Sequence, residues 1–287
     1  MNRQEKRGGR RRSTNRLHRL AGLHDIELFE ANETRAAYGK HAHETFAIGA
    51  ITQGVGGYWC RGSEIVLPRR TLSLMNPQEL HTGYAVAEDL QYRMVYVSED
   101  AVKALLGLSR LRGFRDMNPV DAGDRNARDL VSIAWLLTHP DQVPASMMRV
   151  EELMAQLLAR VFAHHGGQVM RAAGREPAAV RHVAAIIDAH VAACVEGLTC
   201  PPAPTIAQMA ESVGLHPNYL IQSFGRARGI SPHAWLIHRK IARAKEMMAA
   251  GTPAHEAAMA LGFYDQSHFI RHFRRIVGVS PGGLIIH

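Results

Sequence analysis

The stretch Gly262-Phe263-Tyr264-Asp265-Gln266-Ser267-His268-Phe269-Ile270-Arg271-His272-Phe273, continued by Arg274-Arg275-Ile276-Val277-Gly278-Val279-Ser280-Pro281, decides how the C-terminal third folds. Gly262 suits the positive φ of a helix-to-helix turn. Asp265 is placed to cap a helix over 266–276, in which Phe269 and Phe273 recur at i, i+4 and face a core. The pattern also stands 49 residues earlier, where Phe224, Gly229, Ser231 and Pro232 match Phe273, Gly278, Ser280 and Pro281. Residues 214–224 correspond to 262–273, with one extra residue in the second copy.

Working outward, Thr205-Ile206-Ala207-Gln208 is a capping box that opens a helix ending at Gly214. His216-Pro217 starts the next helix with proline in its first turn. There Leu220 and Phe224 face inward, and Asn218, Ile221, Gln222 and Gly225 face outward. Ser231-Pro232 opens a long helix over 233–250 that Gly251 closes, and Thr252-Pro253 caps a helix through Leu261. Two helix-turn-helix units joined by a rigid helix follow, preceded by a helix over 178–193. The segment 194–204, with three prolines, reads as a surface loop.

The middle of the chain has a different rhythm. Between Ile26 and Val97, short runs over 44–52, 58–60, 64–67, 71–75 and 92–97 are broken by Gly, Asn and Pro, which suggests a jelly roll or barrel. Apolar residues at helical spacing follow over 124–138 and 146–164. The expected fold class is therefore α+β with two domains. A barrel with its following helices covers 23–170, and an all-α domain covers 177–287. Alternation along strands turns Tyr58, Cys60, Tyr92, Met94 and Tyr96 inward, with His81 at a strand end. His41 and His43, two apart, share a strand face. His41, His43, Tyr58, His81, Tyr92 and Met94 are the candidate ligand pocket, with Arg93 and Glu44 as possible polar additions. No metal and no cofactor are expected, because only three ligands can be nominated.

The 287 residues carry a formal charge of +8, unevenly. Residues 1–19 hold eight basic groups against one acidic, residues 20–176 sum to −3, and residues 177–287 to +4. Residues 1–22 read as a basic, disordered arm. No apolar core of a signal peptide follows the basic start, and no uninterrupted apolar run approaches the roughly 18 residues of a membrane span. Cys60, Cys194 and Cys200 are too few and scattered for a disulfide framework or a thiolate zinc site. A reduced, cytoplasmic protein without a membrane partner is expected.

The run from Ala258 through Gly262-Phe263-x-Asp265-Gln266-Ser267-His268-Phe269-x-Arg271-x-Phe273 to Gly278-Val279-Ser280-Pro281 closely resembles the signature of AraC/XylS-type transcription regulators. The match reaches back through Lys240-Ile241-x-x-Ala244 and Trp235-Leu236. The strand-rich middle resembles in part the cupin superfamily, which often supplies that family's sensory domain. It departs from the superfamily's metal motif, since Ala47 and Ile48 stand where a carboxylate belongs. The resemblance implies a regulator, more often an activator, with promoter DNA, RNA polymerase, a small-molecule effector and a second copy of the chain as partners. Two other readings stay open: a metal-dependent cupin enzyme carrying a DNA-binding domain, and a regulator whose barrel only dimerises.

Base readout needs outward side chains with donors or acceptors on the second helix of each unit. By position these are Asn218, Ile221 and Gln222 in the first unit and Ser267, His268, Ile270 and Arg271 in the second. Arg226, Arg228, Arg239, Lys240, Arg274 and Arg275 read as phosphate-facing. Gly262, Phe263, Phe269, Phe273, Gly278, Leu220 and Phe224 read as fold-building.

Overall fold

The computed structural model describes residues 15–19, 23, 25–32, 37–86, 89–115, 125–138, 146–197 and 199–283. It is α+β in two compact units, with the division falling inside the first two helices. The first unit is a two-sheet sandwich. Strands β1 (Arg16–Arg19), β2 (Ile26–Asn32), β4 (Phe46–Gln53), β7 (Leu72–Met75) and β9 (Gln91–Val97) form one sheet in the order β1-β2-β9-β4-β7. Strands β3 (Ala37–His41), β5 (Gly56–Cys60), β6 (Ser63–Leu67) and β8 (His81–Ala85) form the other, in the order β3-β8-β5-β6. Every pairing is antiparallel.

Register explains why β4 is apolar nearly throughout. Leu28, Val95, Ile48 and Leu74 lie side by side across four strands, all buried. They fill one face of the larger sheet, and the alternate residues of β9 (Tyr92, Met94 and Tyr96) point to the other. Arg93 shares the face of Val95 and pairs with Glu30 at 2.9 Å, so it does not enter the interior as the sequence suggested. The expected arm also needs correction. Residues 16–19 form strand β1, whose Arg19 and His18 reach Glu27 and Glu30 across the pairing. Residues 1–14 and 20–22 lie outside the described residues, so the expected disorder there is not addressed.

The helices are α1 (Glu99–Leu106), α2 (Arg125–Thr138), α3 (Ser146–Gly166), α4 (Pro177–Glu196), α5 (Ile206–Ser212), α6 (Pro217–Arg228), α7 (Pro232–Ala249), α8 (Ala254–Ala260) and α9 (Gln266–Val277). The second unit contains the two expected helix-turn-helix pairs, α5–α6 and α8–α9, with α7 between them. Phe224, Phe269 and Phe273 are fully buried in its core beside Val183 and Ile187 of α4. Gly214 and Gly262 both take φ 64° at the two turns, and Gly229 and Gly278 close α6 and α9 in the left-handed region. The repeat in sequence is therefore a repeat in backbone.

The caps follow the sequence with one exception. Thr205 and Gln208 form the reciprocal box, Ser231 accepts from the Ala234 N–H, and Asp265 accepts from the His268 N–H at 2.6 Å. Thr252 makes no cap: Pro253 occupies that position without a side-chain bond, and α8 starts one residue later than expected. His216 likewise gives α6 no side-chain cap. Helix α4 is long and apolar enough on average to cross a membrane, although Arg181 and Asp188 interrupt its apolar run; its buried face fills the helical core. Its last turn is tied by a Cys194–Cys200 disulfide, which corrects the expectation of unpaired thiols. The loop after α4 folds back far enough to bring the two sulfurs together.

Helix α3 belongs by packing to the helical unit, where it lies on α5, α6 and α7. Glu151 and Glu152 are its buried acids. The Ile206 N–H donates to Glu151 at 2.6 Å, while the Ser231 hydroxyl and His233 N–H donate to Glu152 at 2.9 and 2.7 Å. Truncating Phe273 to Ala removes a fully buried ring, and urea unfolding followed by helical circular dichroism is expected to show a loss of about 3–5 kcal/mol.

Candidate ligand cavity and DNA interface

Between the two sheets lies a cavity of about 280 Å³. Its walls include all six residues named from the sequence: His41, His43, Tyr58, His81, Tyr92 and Met94. Tyr96 also lines it; Glu44 does not, being exposed and bonded to Gln78. Sequence reasoning missed Tyr38 and Tyr84, because β3 and β8 were not recognised as strands. Their signal was spacing: each stands three residues from a cavity histidine, Tyr38 before His41 and Tyr84 after His81. Tyr84 can lie flat across β5 only because residue 57 is Gly; a Cβ there would meet the phenol ring at 2.4 Å.

The three histidines meet at one end. His41 and His81 are cross-strand partners with ring centroids 4.3 Å apart, and His43 stands 4.9 and 5.1 Å from them. His43 is not in the strand with His41. β3 ends at His41, because the chain must bend there to leave one sheet and enter β4 in the other. Each of His41 and His81 sets its Nδ1 2.8 Å from a backbone carbonyl two residues earlier, at Gly39 and Glu79. That bond places the proton on Nδ1 and leaves Nε2 as an acceptor. Burial, reinforced by His81 and His41, lowers His43 to about 4, and burial likewise lowers His81. Burial together with nearby Tyr38 and Glu27 raises Tyr96 to about 12. Burial therefore favours the neutral forms of His43, His81 and Tyr96 at this end of the cavity. Among the described residues no Lys, Arg, Asp or Glu lines it. His41, His43 and His81, with ligand atoms within 4.8 Å of one another, are the residues here that could hold a metal ion.

On the helical unit the two candidate reading faces differ. In α9, Ser267 and Arg271 are exposed, with Arg274 and Arg275 beside them. His268 and Ile270 are half-buried; the His268 ring meets His272 with 3.0 Å between their Nε2 atoms, and Ile270 packs against the core. In α6, Asn218 and Ile221 are each only 4% exposed, contrary to the outward placement expected from the helical wheel. Gln222 is half-buried and donates to Asn218. Helices α3 and α4 pack on α6, and the chain after α3 bonds its Tyr219 and Arg226, surroundings that a helical wheel does not include.

The expected phosphate contacts also divide. Lys240 is 2% exposed and stands over the Phe263 ring at 5.8 Å, and burial lowers it to about 8. It is a core residue and cannot reach DNA. Arg239 pairs with Asp188 at 2.6 Å, Arg228 lies over Trp235 at 4.7 Å, and Arg226 donates to the Ala173 carbonyl. Arg274 and Arg275 stand exposed beside the α9 face.

The model of an AraC-like ligand-binding domain matches residues 23–178, and that of a helix-turn-helix domain matches residues 209–285. The HTH-type transcriptional regulator YbfI of Bacillus subtilis is 27% identical over 249 residues, 85% of each chain. The virulence regulon transcriptional activator VirF of Yersinia enterocolitica is 32% identical over 77 residues, 26% of this chain and 28% of VirF. Among solved structures, the C-terminal domain of AraT, a response regulator from Geobacillus stearothermophilus, is 27% identical with a TM-score of 0.31, covering 36% of this chain and 80% of that one.

His43 is neutral in the fold to about pH 4, whereas its unfolded value is 6.5. Its contribution to stability is complete above 6.5 and is lost as pH falls toward 4, because only the unfolded chain takes up the proton. Thermal unfolding of the strand-rich unit is expected to shift downward across that window, and less so in His43→Asn.

Proposed function

The chain belongs to the AraC-like family of helix-turn-helix transcription regulators, and we propose that a small uncharged molecule in its barrel cavity controls how the C-terminal helices hold promoter DNA. One observation carries the DNA half of this reading. Ser267 and Arg271 stand exposed on a capped helix flanked by Arg274 and Arg275. A guanidinium at that place can bridge guanine O6 and N7, and its neighbours can set the register on the phosphates. The effector half is supported by the cavity: a lining of imidazoles and phenols, with no Lys, Arg, Asp or Glu among the described residues, suits a ligand that forms hydrogen bonds and brings no charge. Activation, with RNA polymerase as a further partner, is the family's commoner mode and the one in VirF's name. A homodimer on repeated half-sites, acting in the cytoplasm and not as an enzyme, completes the proposal.

A metal-assisted variant of the same sensor is favoured by one feature, the convergence of His41, His43 and His81. Neutral imidazoles with fixed tautomers suit a borderline cation such as Zn²⁺ or Ni²⁺, although no carboxylate joins them among the described residues. Such an ion would supply a Lewis-acidic anchor for an effector oxygen.

Selection from randomised duplex DNA is expected to return a defined site. On it, Arg271→Ala should cost about 1–3 kcal/mol and relax preference at one base pair. Arg274→Ala should weaken all sequences alike and reduce the salt slope by about 1. A chain that retards no duplex at low salt would overturn the reading. For the cavity, a library of uncharged aromatic and hydroxylated compounds should contain one that raises the melting temperature. That rise should be lost in Tyr92→Ala, and a rise with Zn²⁺ or Ni²⁺ alone, lost in His81→Ala, would select the metal-assisted variant.

A further inference from the structure

The two recognition helices repeat each other, so α9 serves as an internal control for α6. Asn218, Ile221 and Gln222 correspond, 49 residues on, to Ser267, Ile270 and Arg271. Ser267 and Arg271 are exposed, whereas Asn218 is buried and Gln222 is half-buried. At about 100° per residue, Asn218 lies roughly 160° around α6 from Leu220, which fills the unit's own core. The core of the helix-turn-helix therefore cannot be what buries Asn218.

Helix α3 and the connector that follows it both lie against α6, and α4 packs on it as well. Helix α3 packs on α6, and its Met148 and Ala155 share one apolar cluster with Ile221. Arg171 lies over the Tyr219 ring at 5.0 Å. The Tyr219 hydroxyl accepts from the Gly174 N–H at 3.0 Å and donates to Glu176 at 2.8 Å. Arg226 is drawn onto the Ala173 carbonyl. Glu151 and Glu152 fasten α3 to the starts of α5 and α7. By contrast, α9 packs on α7, α8 and the turn after it, and its Ser267 and Arg271 stay exposed.

We propose that α3 and the connector 171–176 hold the first helix-turn-helix unit closed, occupying the surface of α6 that duplex DNA must enter, so that DNA and α3 compete for one surface. The proposal rests on reading α6 as a groove-entering helix. In the closed state only α9 is free to read bases, and engagement of both units requires α3 to leave. Apparent affinity is then reduced by the fraction of molecules that are open.

The test uses the full chain with single reporter cysteines, Asn218→Cys or Ser267→Cys, and maleimide labelling located by peptide mass spectrometry. Ser267→Cys is expected to react quickly and Asn218→Cys about tenfold more slowly, in proportion to the open fraction. Adding Glu151→Ala and Glu152→Ala should speed labelling at 218 about tenfold. Without a reporter, the same pair should tighten binding to a duplex selected on the unaltered chain by about the same factor. Equal labelling at 218 and 267 in the unaltered acid pair, or no change on removing the acids, would overturn the closed state. Faster labelling without tighter binding, and with no effect of Gln222→Ala, would instead sink the reading of α6 as a DNA-entering helix. Should the double variant fail to fold, hydrogen exchange on the unaltered chain decides. Saturating DNA should slow exchange in α6 and speed it in α3; protection of both would refute competition.

Discussion

Two neighbouring carboxylates on one helix tie α3 to the starts of two others in the helical unit. Glu151 and Glu152 are almost fully buried, and each receives backbone N–H donors from the start of a different helix. Burial pushes both upward in pKa, Glu151 to about 7, because donors only partly replace lost water. A buried acid is tolerated only while its partners stay in place, so these bonds constrain geometry more than they add stability. They tie α3 to the first turns of α5 and α7, and the same α3 packs on α6. The contrast between a covered first recognition helix and an open second one descends from that constraint.

The cavity in the other unit obeys a related rule. Three imidazoles within about 5 Å of one another cannot all be charged, and burial keeps His43 and His81 neutral. The carbonyls of Gly39 and Glu79 then choose the tautomer. What remains is a site of imidazoles and phenols with no Lys, Arg, Asp or Glu among its described lining residues. Arg93 and Glu30, on neighbouring strands, pair with each other on the opposite face of the sheet.

Much of this was legible in the chain. The caps at Thr205, Ser231 and Asp265, the turn glycines 214 and 262, and the phenylalanines at i, i+4 are local signals, and each occurs where the sequence placed it. Alternation along β9 correctly turned Tyr92, Met94 and Tyr96 to one face. Other features were not legible, because they depend on contacts distant in sequence. The pairing of β1 depends on β2, the burial of Lys240 depends on Phe263, and the Cys194–Cys200 bond depends on how the loop after α4 folds back. A helical wheel shows which side of α6 faces away from its own core; it cannot show what lies on that side.

Local pattern specified the two architectures, the repeated helix-turn-helix backbone and the cavity residues His41, His43, Tyr58, His81, Tyr92 and Met94. Those follow from periodicity, capping and steric freedom at glycine, which act over a few residues. Contacts between distant parts of the chain settle which reading face is open, which basic residues are core, and how closely the three histidines from β3, the following bend and β8 approach one another. Those outcomes depend on burial and on partners brought together from distant parts of the chain. Similar local patterns, as in α6 and α9, therefore ended in different surroundings.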